Sequence, residues 1–277
     1  MRWDDVRVVR YLGGRANQHW LVTSGRQPLV PRRYQLHPIG EIGYELRVMR
    51  RLADLGWPTP VAVADPVRAD GRTWCLFRWL PDERTQRDRG RLLARLHADL
   101  ATIDIGQRPG AQRAEDVVAD PSLTDRLRAY ERMFPDEARL PRWHVDRARE
   151  IFRDVDPGPL MVLHGDFISQ NLLYQDGVCT GVIDFEGTHL NHRASDFALA
   201  WRGRHDAVVH GYSEVTPLTG LDRALLTPAL WSWVFLGVAR EIGQMLGGTV
   251  APHRLEWQTK MLRRSPLMGR HNVPYVS

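Results

Sequence analysis

Hydrophobic and polar positions alternate along residues 6–34, in runs bounded by turn formers. VRVVRYL is followed by Gly13-Gly14, HWLVTS by Gly25, and the third run is PLVPRRY. Short alternating runs rich in β-branched and aromatic residues between glycines predict an antiparallel meander of three strands. Pro31 removes a backbone donor from the third run, which predicts a bulge or an edge position there. In IGEIGYELRVMRRLADLG the apolar residues Ile42, Leu46, Met49 and Leu52 recur at helical spacing, and Gly56 ends the run. After the turn WPTP, the segments VAVADPV and TWCLFRWL read as two more short strands separated by RADGR. Residues 1–80 are therefore expected to form a small β-rich lobe with five strands and one helix.

From Gly90 the period changes. RGRLLARLHADL places Leu92, Leu93, Leu96 and Leu100 on one stripe, a core helix on which His97 reads as a satisfied structural histidine. Residues 104–120 read as a loop and 121–154 as mostly polar helices. A short apolar run, PLMVLHGD, leads into 160–200; LLTPALWSWVFLGVAREIGQML is an apolar helix stopped by Gly-Gly, and HRLEWQTKMLRR begins another. The expected class is α+β: a small β-rich lobe over 1–80 and a larger, mainly helical lobe over 81–277.

The chain has 277 residues, 43% hydrophobic and 26% charged, so it can bury a core without a metal or disulfide staple. Cys75 and Cys179 lie in separate apolar runs and read as thiols in a reducing compartment. The net charge of +5 is dispersed, which argues against nucleic acid as a partner. No signal-peptide core or membrane-length apolar stretch is visible, so a cytoplasmic protein without a membrane partner is expected. Lys260 is the one lysine among 38 basic residues. A mechanism that needs a lysine near the N-terminus therefore fails here.

The chemistry concentrates in two short segments. HGDFISQN holds Asp166 and Asn171 five residues apart, and GVIDFEG supplies Asp184 thirteen residues further on, beyond a turn at Asp176-Gly177. A hairpin-like return brings the Asn171 amide oxygen and the Asp184 carboxylate to neighbouring strand ends. Such oxygens suit Mg²⁺, which takes one or two carboxylates together with nucleotide phosphate oxygens and water. Asp166 is then placed to accept a proton from an acceptor hydroxyl, at the D-x-x-x-x-N spacing of a kinase catalytic loop. Taken singly, HGD could be a turn and Asp-Phe-Glu a helix cap; together and in this order they point to phosphoryl transfer.

HGDFISQN and IDFE resemble the H-G-D-x-x-x-x-N and I-D-[WF]-E segments of the aminoglycoside phosphotransferase and choline-kinase-like family, whose members share the bilobal protein-kinase-like fold. The resemblance runs from about residue 10 to 245. It implies Asp166 as catalytic base, Asn171 and Asp184 as metal ligands, and Asp196 as a structural aspartate bracing the loop. It also implies a nucleotide loop at YLGGRANQHWLV, with Gly13, Gly14 and Asn17 near the phosphates. The strand lysine is replaced by PRRY, where alternation favours Arg32 over Arg33, although Pro31 leaves the parity open. Glu45 would pair with that cation, with Glu41 as the alternative. Arg78, Trp79 and Leu80 would form the hinge against the base, and Leu173 and Ile183 the apolar floor beneath it.

The expected activity is O-phosphotransfer from ATP or GTP, with Mg²⁺, to a hydroxyl of a small molecule, by a monomer or homodimer. An antibiotic of aminoglycoside or nucleoside type, or a sugar-like metabolite, is the expected acceptor. From Glu186 to Ser277 ten basic residues outnumber seven acidic ones, a poor surface for a polycation. Trp201, Trp231, Trp233 and Trp257 are candidates for an aromatic wall, with core burial the simpler reading. The rival readings are a nucleotide-binding pseudokinase and a protein Ser/Thr kinase-like enzyme.

Overall fold

The computed structural model describes residues 6–14, 17–35, 39–83, 89–156, 158–200 and 206–264, so Trp201 lies outside it. The chain forms two compact units. The first comprises Met1–Arg87, Asp99–Gly110 and Ile168–Thr188, and the second Asp88–Ala98, Ala111–Phe167 and His189–Ser277.

The first unit is built on five antiparallel strands: β1 (Val6–Gly13), β2 (Gln18–Ser24), β3 (Gln27–Tyr34), β4 (Val67–Ala69) and β5 (Arg72–Arg78), in the order β1-β2-β3-β5-β4. Helix α1 (Ile39–Asp54) follows β3. Pro31 occupies neither an edge nor a bulge. β3 is the central strand, continuously paired with β5 from Leu29↔Arg78 to Tyr34↔Thr73. Its ladder to β2 stops after His19↔Arg32 and resumes in the same register at Val22↔Leu29. The missing donor of proline is thus absorbed as a local gap facing β2, with no shift of face.

The expected strand over VAVADPV is also corrected. Residues between Pro60 and Pro66 form a covering segment: Val63 donates its N–H to the Leu76 carbonyl at 2.8 Å and packs on Val22, Leu29 and Leu76. Its pairing with β5 is limited to one isolated bridge, Ala62↔Phe77, Pro66 interrupts it, and β4 begins only at Val67. Asp70 and Gly71 then turn the chain with φ of 50° and 68°, the doubly left-handed geometry of a tight hairpin.

Next come α2 (Arg89–Leu100), α3 (Ala114–Ala119), α4 (Pro121–Met133), α5 (Pro135–Asp154) and β6 (Met161–Leu163). α3 replaces part of the loop expected over 104–120; it is only six residues long, held by Asp116 against the Arg113 N–H, and it buries Val117 and Val118. The hairpin β7 (Leu172–Gln175) and β8 (Val178–Val182) belongs to the first unit. It is fastened to the strap after β5 by Glu83 N–H to the Tyr174 carbonyl at 2.8 Å and by Thr180 Oγ1 to the Pro81 carbonyl at 2.7 Å.

The second unit continues with β9 (His189–Asn191), paired antiparallel with β6, and then α6 (Ala194–Ala200), α7 (Asp206–Ser213), α8 (Gly220–Leu246) and α9 (Glu256–Arg264). One stripe of α8, namely Trp231, Val234, Phe235, Val238 and Ile242, forms a core with Leu123, Leu127 and Tyr130 of α4 and Val145 and Ala148 of α5. The charged residues of α4 and α5 lie mostly on their outer faces, whereas His144 of α5 is buried edge to face against Trp231 at 4.7 Å. Trp231 is fully buried there and Trp233 packs against the same core, while Trp257, which is exposed, meets Trp233 edge to face at 5.5 Å. Among the described residues no helix is long and apolar enough to cross a membrane.

Candidate active site

Within the first unit a cavity of about 840 Å³ is lined by Gly13, Gly14, Val30, Arg32, Arg78, Trp79, Leu80, Leu173, Ile183 and Asp184, a size suited to a small organic ligand. The turn that closes one side requires glycine. Gly14 has φ of 128°, and a Cβ there would lie 1.8 Å from the Asn17 carbonyl oxygen. Met49 and Phe77 add to the apolar lining that Leu173 and Ile183 provide.

Strand alternation carries Arg32 into the cavity and Arg33 to the other face. Arg33 lies over Trp20 and Trp74, at 5.9 and 5.7 Å from the ring centroids. Arg32 Nη1 donates to Glu45 at 2.7 Å, while Nη2 donates to Asp184 at 3.1 Å and to Glu186 at 2.8 Å. Glu45 also accepts from the Tyr34 hydroxyl at 3.1 Å. Burial alone would lower the guanidinium pKa, but Glu45, Tyr34, Asp184 and Glu186 raise it well above its ordinary value. Glu41 is engaged elsewhere, accepting from Arg108 at 2.6 Å. Each sequence alternative at this cation is thus resolved in space as Arg32 with Glu45.

Asn171 ends a short 3-10 turn and Asp184 follows β8. The Ile183 N–H donates to the Asn171 carbonyl at 2.9 Å, which ties the two segments together. Asp184 has φ of 67°, a left-handed conformation uncommon for a residue with a Cβ and a mark of local constraint. Glu186 received no role from the sequence, although it stands two residues along in the same IDFE motif. Its carboxylate accepts from both Arg32 and Asn17 Nδ2, and its backbone carbonyl accepts from Arg108. Asn17 Oδ1 in turn accepts from the Gln35 N–H at 3.2 Å, so Asn17 clamps the end of the glycine turn to the 184–186 segment.

Asp166 lies in the second unit, in the loop after β6, and its backbone N–H donates to His164 Nδ1 at 3.2 Å. The loop is held from beneath by Asp196, which accepts from the N–H groups of His164 at 2.9 Å and Gly165 at 2.7 Å. His97 Nε2 stands 3.0 Å from the same carboxylate, and its Nδ1 meets the Tyr212 hydroxyl at 3.0 Å. Burial would raise the Asp196 pKa, but His97 and the loop donors lower it.

A second clasp sits three residues before Asp196. Arg193 Nε donates to Asp222 at 2.6 Å, and Asp222 also accepts from the Thr219 N–H and hydroxyl at 2.6 and 2.7 Å in the capping box that starts α8. Burial opposes ionisation of Asp222, but Arg193 and Thr219 outweigh it and hold the pKa at about 2. Because the folded value lies below the unfolded one, this stabilisation is present above the unfolded pKa and is lost as pH falls toward the folded pKa of about 2. Between pH 5 and 3 the clasp should lose about 1 kcal/mol of stability, which urea unfolding at the two pH values would detect as a loss absent in Asp222→Asn.

The β-sheet unit with its buried arginine–glutamate pair, together with a loop Asp followed by Asn and Asp at strand ends, defines a kinase-like phosphotransferase fold. Residues 7–226 match the phosphotransferase enzyme family, APH, and the chain belongs to that family. It is a phosphotransferase acting on small-molecule hydroxyl groups. The fold is shared with aminoglycoside phosphotransferase APH(4)-Ia, at 15% identity over 98% of this chain and 96% of that one, with a TM-score of 0.68. Spectinomycin phosphotransferase, crystallised with ADP and spectinomycin, aligns at 12% identity over 96% and 92% of the two chains, with a TM-score of 0.66. A microcompartment-associated aminopropanol kinase aligns at 19% identity over 94% and 89%, with a TM-score of 0.62. No curated protein sequence matches the chain.

Proposed function

We propose that this phosphotransferase takes the terminal phosphoryl group of ATP or GTP in the cavity of the first unit and delivers it to a hydroxyl of a neutral or acidic small molecule. The observation that carries this reading is Arg32, held by Glu45 on the inner sheet face, in one cavity with the glycine turn and Asp184. ADP in the spectinomycin phosphotransferase structure supports a nucleotide co-substrate.

Arg32 would grip the phosphates through its planar fork, and the amides of the Gly13-Gly14 turn would approach them without a Cβ in the way. The N–H and carbonyl groups around Arg78, Trp79 and Leu80 would meet the base edge, above Leu173 and Ile183. Asp166 would accept the acceptor's hydroxyl proton as the oxygen attacks phosphorus. In this division of labour residues 1–80 supply most of the nucleotide site, and 81–277 supply the base and the acceptor surface.

The donor set fits Mg²⁺. Asn171 and Asp184 offer hard oxygen ligands, and among the described residues no cluster of three or more His, Cys, Asp or Glu side chains competes as a self-sufficient metal cage. A site with few protein ligands suits a cation that keeps phosphate oxygens and waters in its shell. When bound, Mg²⁺ would offset the negative charge of the phosphates.

The acceptor class follows from charge. Carboxylates of the second unit are engaged by its own cations: Glu131 by Arg142, Glu137 by Arg254, Glu214 by Arg91 and Asp222 by Arg193. A polycationic aminoglycoside would have to compete with those arginines. A nucleoside-type antibiotic or a sugar-like metabolite would not. A nucleotide-consumption assay against aminoglycosides, nucleosides, sugars, sugar acids and choline should give turnover with a neutral or acidic member. Turnover confined to aminoglycosides or choline would overturn the acceptor class, and nucleotide consumption that persists in Asp184→Ala would overturn the metal assignment.

A further inference from the structure

His19 of β2 lines the same cavity as Gly13, Gly14, Arg32 and Asp184, and it is the direct antiparallel partner of Arg32. Its ring Nδ1 lies 3.3 Å from the Gly13 carbonyl oxygen. A carbonyl oxygen only accepts, so Nδ1 carries a proton in this contact and Nε2 is the nitrogen left for another partner. The ring is also packed on the turn, since a Cβ at Gly14 would approach Nδ1 to 2.8 Å.

We propose that His19 is a phosphate-binding residue: Nδ1–H braces the Gly13-Gly14 turn, and Nε2–H donates to a phosphate oxygen beside Arg32. The inference rests on the reading of this cavity as the nucleotide site. Donation from both ring nitrogens requires the imidazolium. Among the protein groups, burial and the Arg32 charge lower the His19 pKa, while the Gly13 carbonyl, Asp184 and Glu186 act the other way. Arg10, Arg78 and Asp82 complete the charged lining. A phosphate chain adds several negative charges next to the ring and reverses this balance, so nucleotide binding takes up a proton. Affinity therefore rises as pH falls through the pKa of the bound state.

The two amide variants separate the roles of the two nitrogens. Asparagine can keep the brace at the Nδ1 position but has no donor at Nε2, and glutamine can place a neutral donor near Nε2. Calorimetry of the full chain with AMP-PNP and with adenosine, at about pH 6 and pH 8 and in buffers of different ionisation enthalpy, reads all the consequences. In the wild type, AMP-PNP binding should take up a proton beyond the nucleotide's own contribution. His19→Asn should weaken AMP-PNP about 10-fold or more at the lower pH, as expected for one charge-assisted hydrogen bond, and leave adenosine unchanged. His19→Gln should recover part of the loss, and neither variant should show the extra proton. Equal losses for adenosine and AMP-PNP would reduce His19 to a prop, and AMP-PNP affinity in His19→Asn equal to wild type would remove it from the phosphate site. A wild type that binds neither ligand would sink the nucleotide reading itself, a result distinct from both.

Discussion

Replacing Asp166 with asparagine is expected to lower turnover by at least 10² to 10⁴, the usual worth of a positioned general base, while nucleotide affinity stays within about twofold of wild type. The side chain keeps its size but loses its proton-accepting charge. The loop should not collapse, because its braces are backbone N–H groups: His164 and Gly165 donate to Asp196, which the substitution leaves in place. The nucleotide site proposed above uses a different set of residues, around Arg32 and Asp184. Single-turnover rates with an accepted substrate, alongside AMP-PNP titrations, measure both quantities. Near-wild-type transfer by the variant would remove Asp166 from the chemistry and leave the acceptor proton to another group.

Removal of the Arg32 guanidinium should do damage of another kind. Arg32→Ala leaves Glu45, itself 2% exposed, without its cation and beside two further carboxylates, Asp184 and Glu186. Breaking a buried pair from one side costs about 3–5 kcal/mol, so urea unfolding should shift markedly and nucleotide binding should be lost. Arg32→Lys tests the geometry of the fork. One ammonium can stay with Glu45, but it cannot span Glu45 and the Asp184–Glu186 pair as two separate nitrogens do. That variant should fold close to wild type yet release Asp184 and Glu186 from the cation. Arg33→Ala forfeits only the contacts over Trp20 and Trp74, about 0.5–1 kcal/mol each, and should leave nucleotide affinity unchanged. The opposite ranking of Arg32 and Arg33 would mean that the face assignment of β3 is wrong.

The amino-acid sequence determined the periodicities of the chain and the order of its chemical motifs. Alternation over 6–34, helical stripes at 42–52 and 92–100, and the single apolar helix after 220 are local signals, because each element must present one face to a core whatever that core contains. The spacing of Asp166, Asn171 and Asp184 is equally local, since one loop and one hairpin carry all three. Short elements were less legible: α3 has one buried turn, and the segment 61–65, between Pro60 and Pro66, forms only an isolated bridge to β5, so neighbouring structure and not periodicity settled both. The sequence could not choose between Arg32 and Arg33, because a proline makes strand parity ambiguous. Only the sheet, by resuming the β2–β3 register unchanged beyond Pro31, decided which guanidinium enters the cavity. Nor could it bring together Glu186 and His19, separated by more than 160 positions yet both neighbours of Arg32, one accepting from its guanidinium and the other its partner across the β2–β3 ladder. Their relation arises because the hairpin β7–β8 packs into the N-terminal unit, and long-range packing of that kind leaves no periodic trace along the chain.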